Sequence, residues 1–192
     1  MLWVLIAADG GAPLSSWRQC LADTTANAIG ACTSIIVLDP LNDGAFVNRG
    51  IAYRRAGDLV RATTDYDEAI RLNPRAADAY NNRGNIWRTR GEFDRAMGDY
   101  NVAIRLDSRY AHAYNNRGIV FLEQGDLGRA ITDFDRAISI DPSYANAFRN
   151  RGLARAQQRA FDRAVADFDE AFRLDPAAGH GIEDAIALFE RD

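Results

Sequence analysis

A chain of 192 residues, 47% hydrophobic and 26% charged, has room for one ordinary domain or a short repeat array. Its net charge of −4 makes the whole molecule a poor ligand for polyanions, which argues against nucleic acid as a partner. All 23 basic residues are arginine and lysine is absent, so any anion contact must come from a guanidinium fork.

Residues 1–13 open with an apolar run, Leu2–Ala8, too short to span a bilayer. Two readings stay open. The run is a signal-peptide remnant that lacks a basic n-region, or it is an apolar extension that packs on the fold. Residues 14–42 pair a short pattern, LSSWRQCLAD, with a longer one, ANAIGACTSIIVLDP, whose Pro40 precedes Pro74 by the length of one repeat unit. This segment reads as a degenerate helix pair that caps the repeats after it, and it holds both cysteines, Cys20 and Cys32. They are either two buried small side chains or a disulfide between the paired helices. A bridge would contribute about 3 kcal/mol by closing the loop and would require an oxidising compartment.

From Asp43 the chain restates itself in units of equal length, 43–76, 77–110, 111–144 and 145–178. Gly occupies the eighth position of each unit (Gly50, Gly84, Gly118, Gly152), Ala the twentieth and twenty-seventh, and aromatics the fourth and twenty-fourth. Small and apolar residues recur at three- and four-residue steps, which is helical spacing. Gly57, Gly91 and Gly125 stand where a first helix must end in a left-handed residue. Asp58, Glu92 and Asp126 then put a carboxylate at the start of a second helix. Pro74, Pro142 and Pro176, or Ser108 in their place, close the units. The last unit has Arg159 in place of the interhelix glycine and is expected to turn less regularly. Residues 179–192 are expected to form a terminal capping helix with Ile182, Ala185, Ile186 and Phe189 on one side. The pattern predicts an all-α solenoid of antiparallel helix pairs.

No nucleophile and base arrangement, phosphate loop or isolated carboxylate pair appears, because the carboxylates repeat with the unit. No catalytic residue, cofactor or metal site is expected. His112 and His180 fall two units apart, too far to share an ion. Asp recurs at position twenty-three, at a constant interval after each Arg at position seven: Asp65 after Arg49, Asp99 after Arg83, Asp133 after Arg117, Asp167 after Arg151. Ion pairs within a hairpin or to the neighbouring unit are predicted.

Aromatics at four, eleven and twenty-four, Gly at eight, Ala at twenty and twenty-seven and Pro at thirty-two resemble the tetratricopeptide repeat. The departures are Arg in place of leucine at position seven, and Arg155 in place of the last aromatic at eleven. The resemblance implies a right-handed superhelix whose first helices line a concave groove through positions two, five, six, nine, twelve and thirteen. The groove residues it implies are Asn48, Asn82, Asn116 and Asn150 at six, and Asn81, Asn115 and Arg149 at five. Asn85 at nine, Arg54 and Arg88 at twelve and Arg55 at thirteen complete them. Asparagine ladders of related repeats grip an extended peptide backbone, while the plainer alternative is that Asn at six only joins adjacent units. The inward positions carry four arginines and two carboxylates, net +2, leaving −6 for the rest of a chain whose total is −4. The expected ligand is therefore a protein or extended peptide, including a carboxylate-bearing one, although the lysines of a chaperone-type carboxylate clamp are missing. The alternative is a regulatory or assembly subunit that docks through its convex face or terminal helix. The chain also resembles exported bacterial repeat proteins with a cysteine pair in the first repeat, which implies a periplasmic or secreted location, with the cytoplasm as alternative.

Overall fold

The computed structural model describes residues 14–21 and 25–176. The apolar run at the start, His180 and the expected terminal helix lie outside the described residues. Ten α-helices follow one another and no strand occurs among the described residues. They divide into two compact units, 1–90 and 91–192.

The first unit contains α1 (Leu14–Cys20), α2 (Thr25–Leu38), α3 (Asp43–Arg55), α4 (Leu59–Leu72) and α5 (Ala77–Thr89). Each packs on the next, and the first helices α3 and α5 also touch. The core is built from Phe46, Val47, Tyr53, Tyr66 and Ile86 interleaved with alanines 62, 69, 76 and 79. The short α1 packs on α2 and is tied to it by a Cys20–Cys32 disulfide. Cys20, Cys32 and Ile35 form a second small core with Ala31 and Ala45.

The second unit contains α6 (Phe93–Leu106), α7 (Ala111–Glu123), α8 (Leu127–Ile140), α9 (Ala145–Gln157) and α10 (Phe161–Leu174). Its hairpins α7–α8 and α9–α10 enclose Phe134 and Phe168, with Ala130, Ala154 and Ala164 beside them. The alanines allow close approach of the helices, and the position-twenty-four aromatics fill the space left between them.

The turns follow from the residues at them. Asp58 and Asp126 cap α4 and α8 by accepting the N–H of Arg61 and Arg129. Glu92 stands at the same place before α6 without a cap bond and instead pairs with Arg95 at 2.6 Å. Gly57, Gly91 and Gly125 take φ of 81°, 74° and 76°. Arg159 takes φ of 61°, so the turn expected to be irregular is not. Ala160 N–H donates to Arg155 C=O at 2.9 Å, just as Asp58 N–H donates to Tyr53 C=O at 2.9 Å. The packing of α9 on α10 imposes the turn, and Arg159 bears a left-handed strain of roughly 1–2 kcal/mol. No described helix is long and apolar enough to cross a membrane.

Candidate functional site

The triplet Asn-Arg-Gly at positions six to eight of every unit separates into three roles. The glycine is a contact point. A Cβ on Gly50 would lie 2.6 Å from the Tyr66 ring, and one on Gly118 or Gly152 would lie 2.7 Å from Phe134 or Phe168.

The arginine is a staple. Arg49 donates through Nε and Nη2 to both Asp65 oxygens at 2.8 Å, and Arg117 does the same to Asp133. Arg151 forks onto Asp167, with Nη2 to Oδ1 at 2.6 Å. The predicted pairing within a hairpin therefore holds for these three. The remaining nitrogen, Nη1, reaches back to the preceding second helix. It meets Thr33 from Arg49, Asp67 from Arg83, Asn101 from Arg117 and Asp135 from Arg151, at 3.2, 2.6, 2.7 and 2.6 Å. Each guanidinium also lies 5.3–5.6 Å from the aromatic three positions before it, Phe46, Tyr80, Tyr114 or Phe148. Hydrogen bonds to Asp65 and Asp133 raise the pKa of Arg49 and Arg117 above the usual arginine value. Burial opposes the charge of Arg151, but its bonds to Asp167 and Asp135 outweigh it. Arg155 fills the slot of the missing aromatic and adds a second guanidinium on Asp167 at 2.7 Å.

The acceptors at position twenty-five go unrecognised in the sequence. Thr33, Asp67, Asn101 and Asp135 hold the same place in successive units, so their signal is present, but a surface polar residue and an arginine acceptor look alike before the helices are stacked.

The asparagines divide. Asn81 and Asn115 at position five are buried, 4% and 3% exposed, whereas Arg149 at the same position is half-buried. Asn150 donates to Asn115 Oδ1 at 2.9 Å, a bond between adjacent repeats. Asn48, Asn82, Asn116 and Asn150 are each only half-buried. Among the described residues, the Asn48 and Asn82 side chains take part in no hydrogen bond. Asn85, Arg88 and Arg149 are half-buried, and Arg54 and Arg55 are exposed. His112 is engaged within its own repeat unit, its Nδ1 2.8 Å from the Tyr144 hydroxyl. Burial, reinforced by the Asp141 charge, pushes the Tyr144 pKa up to about 12.

Residues 47–111 match a family model described as tetratricopeptide repeat, and residues 120–159 one described as TPR repeat. The chain belongs to the tetratricopeptide repeat family. This repeat is generally a non-catalytic scaffold for protein interactions. Among solved structures the chain is similar to MamA, at 27% identity and TM-score 0.66 over 80% of this chain and 90% of that one. It shares its fold with YrrB, a TPR protein with an unusual peptide-binding site, at 20% identity, TM-score 0.64, and 89% and 86% coverage. It also shares it with a tetratricopeptide repeat protein from Parabacteroides merdae, at 19% identity, TM-score 0.72, and 92% and 72% coverage. No curated protein matches the chain in sequence.

Proposed function

We propose that this repeat protein is a non-catalytic adaptor that holds a protein or extended peptide along the first helices of its repeats. The observation that carries the reading is the pair Asn48 and Asn82. Their amides are half-buried on the touching helices α3 and α5 and have no hydrogen bond among the described residues. An amide offers two donors and an acceptor, which suits the alternating N–H and C=O groups of an extended backbone. Asn85, Arg54, Arg55 and Arg88 add polar and cationic contacts in the same unit. Asn116, Asn150 and Arg149 are the corresponding contacts in the other. The arginines, with no lysine beside them, favour a ligand that carries carboxylates. That YrrB is a TPR protein with a peptide-binding site agrees in kind.

The test is capture of a partner from an envelope extract, followed by titration with the purified partner. Asn48→Ala/Asn82→Ala is expected to weaken binding at least tenfold while far-UV circular dichroism stays unchanged. Unchanged affinity would remove the asparagines from the site. The disulfide favours a periplasmic or secreted location, checked by osmotic-shock fractionation and thiol alkylation of the released protein. A second reading, docking onto a larger assembly through the second helices, draws on the exposed Val37 of α2 and Val60 of α4, 73% and 70% accessible. Binding of that kind would survive the asparagine substitutions.

A further inference from the structure

Helix α1 has little besides the disulfide to hold it. It has seven residues, and an isolated helix of that length does not persist in water. Its single buried residue is Cys20, while Leu14 at its start and Leu21 just past its end are 80% and 64% exposed. Trp17 adds only a half-buried ring to the small core of Cys20, Ala31, Cys32, Ile35 and Ala45.

Helix α2 is held differently. It has fourteen residues, and Ala28, Ala31, Cys32 and Ile35 form a buried stripe at i, i+3, i+4 and i+7. The lower part of that stripe packs beside Ala45 of α3, and Ile29 and Ile36 pack against the larger core of Phe46 and Tyr66. The bond therefore joins a fixed sulfur, on Cys32, to one carried by a helix that burial alone does not retain.

We infer that Cys20–Cys32 is a one-way latch: α1 docks only when the bond closes, and Cys20 is the mobile half that meets the oxidant. The oxidant is a disulfide of another molecule. In the reduced chain α1 leaves α2, and the Cys20 thiol loses its proton and attacks the oxidant's disulfide. One oxidant sulfur leaves as a thiol, and a mixed disulfide to Cys20 remains. The Cys32 thiolate then attacks Cys20 Sγ, forming the Cys20–Cys32 bond and releasing the second oxidant sulfur as a thiol. Two cysteine thiols lose two protons and two electrons, and the oxidant gains them. Once closed, the bond is shielded from reversal, because Cys20 is 3% and Cys32 0% exposed and an external thiolate cannot reach either sulfur while α1 is docked. The state of the cap thus marks whether the chain has met an oxidising compartment. This holds wherever a partner binds.

The test uses the full chain in three forms: oxidised, reduced in denaturant and refolded with reductant present, and as Cys20→Ser/Cys32→Ser. Leu21 N–H donates to Trp17 C=O at 3.0 Å, so its amide exchange reads whether α1 is formed. Exchange at Leu21 is expected to be about a hundredfold faster in the reduced chain and the double variant, as for losing the closure of a loop this short, while α5–α10 keep their protection. Glutathione disulfide is expected to react severalfold faster with Cys20 in Cys32→Ser than with Cys32 in Cys20→Ser, where Ala45 of α3 stays beside the thiol. Dithiothreitol is expected to open the bond of the native chain at least about a hundredfold more slowly than in guanidinium chloride. Unchanged Leu21 exchange on reduction would show that packing alone docks α1. Equal rates at the two thiols would remove Cys20 as the entry point, and native reduction as fast as denatured would make the bond reversible. Lost protection of α5–α10 in the double variant would show that the bond holds the array and not the cap. Each of these results would overturn the proposal.

Discussion

Arg117→Leu replaces the staple of the third full repeat by the residue that the tetratricopeptide pattern usually carries there. In this chain Arg117 holds Asp133 with two bonds of 2.8 Å and Asn101 with one of 2.7 Å. Asp133 is 5% exposed, so the substitution leaves a carboxylate in the interior with no counterion. Breaking a buried pair from one side costs about 3–5 kcal/mol. The Arg117 side chain is 21% exposed, so water reaches the vacated site and the lower end of that range applies. Leucine methyl groups against Tyr114 offset about 1 kcal/mol. The net loss is about 2 kcal/mol, a fall in Tm of roughly 4–8 °C for a chain of this size. Urea and thermal unfolding followed by far-UV circular dichroism measure it. Arg117→Leu/Asp133→Leu, which removes both charges, is expected to recover most of the loss. A single variant within about 0.5 kcal/mol of the parent would show that the pair is energetically neutral. A double variant as unstable as the single would show that the loss is one of packing and not of a stranded charge.

Gly118→Ala is expected to destabilise by about 1–2 kcal/mol despite alanine's better helix propensity, because the new Cβ would meet the fully buried Phe134 ring at 2.7 Å. Thermal unfolding checks it, and a stabilised variant would mean the ring has room to move. Arg159→Gly should raise stability by about 0.5–1 kcal/mol by relieving a φ of 61°, read as a higher urea midpoint. The backbone N–H of Arg129, and then its guanidinium, hold the Asp126 carboxyl below its usual 3.8. A depressed carboxylate stabilises the fold above its unfolded value and loses that contribution as pH falls through the folded one. Asp126→Asn keeps a cap oxygen but cannot titrate, so its Tm should fall less than the parent's between neutral pH and about pH 3. Parallel curves would contradict the cap's acid sensitivity.

Much of the scaffold was legible because its rules are local and repeat. Gly57 and Gly125 announced left-handed turns, and Asp58 and Asp126 announced caps. The constant interval from Arg49 to Asp65 or from Arg117 to Asp133 placed opposite charges on facing helices. Arg159 misled because a turn residue's propensity is a weak term beside the packing of two helices, and tertiary contacts overrode it. The candidate site was less legible. Asn81 and Asn82 are neighbours in sequence and chemically identical, yet one is buried and the other half-exposed. A helix turns about 100° per residue, and no period in the sequence says which of two adjacent amides the next helix will cover.

By itself, the sequence determined the helical period, the hairpin unit, the turns and the pairing of Arg with Asp, all of which depend on residues within a single repeat unit. Tertiary structure alone decided which acceptor each arginine's third nitrogen finds and which asparagines are spent between repeats. Those are properties of how one hairpin sits on another. They depend on side-chain reach across a contact, where a shift of about an ångström separates a hydrogen bond from an open space.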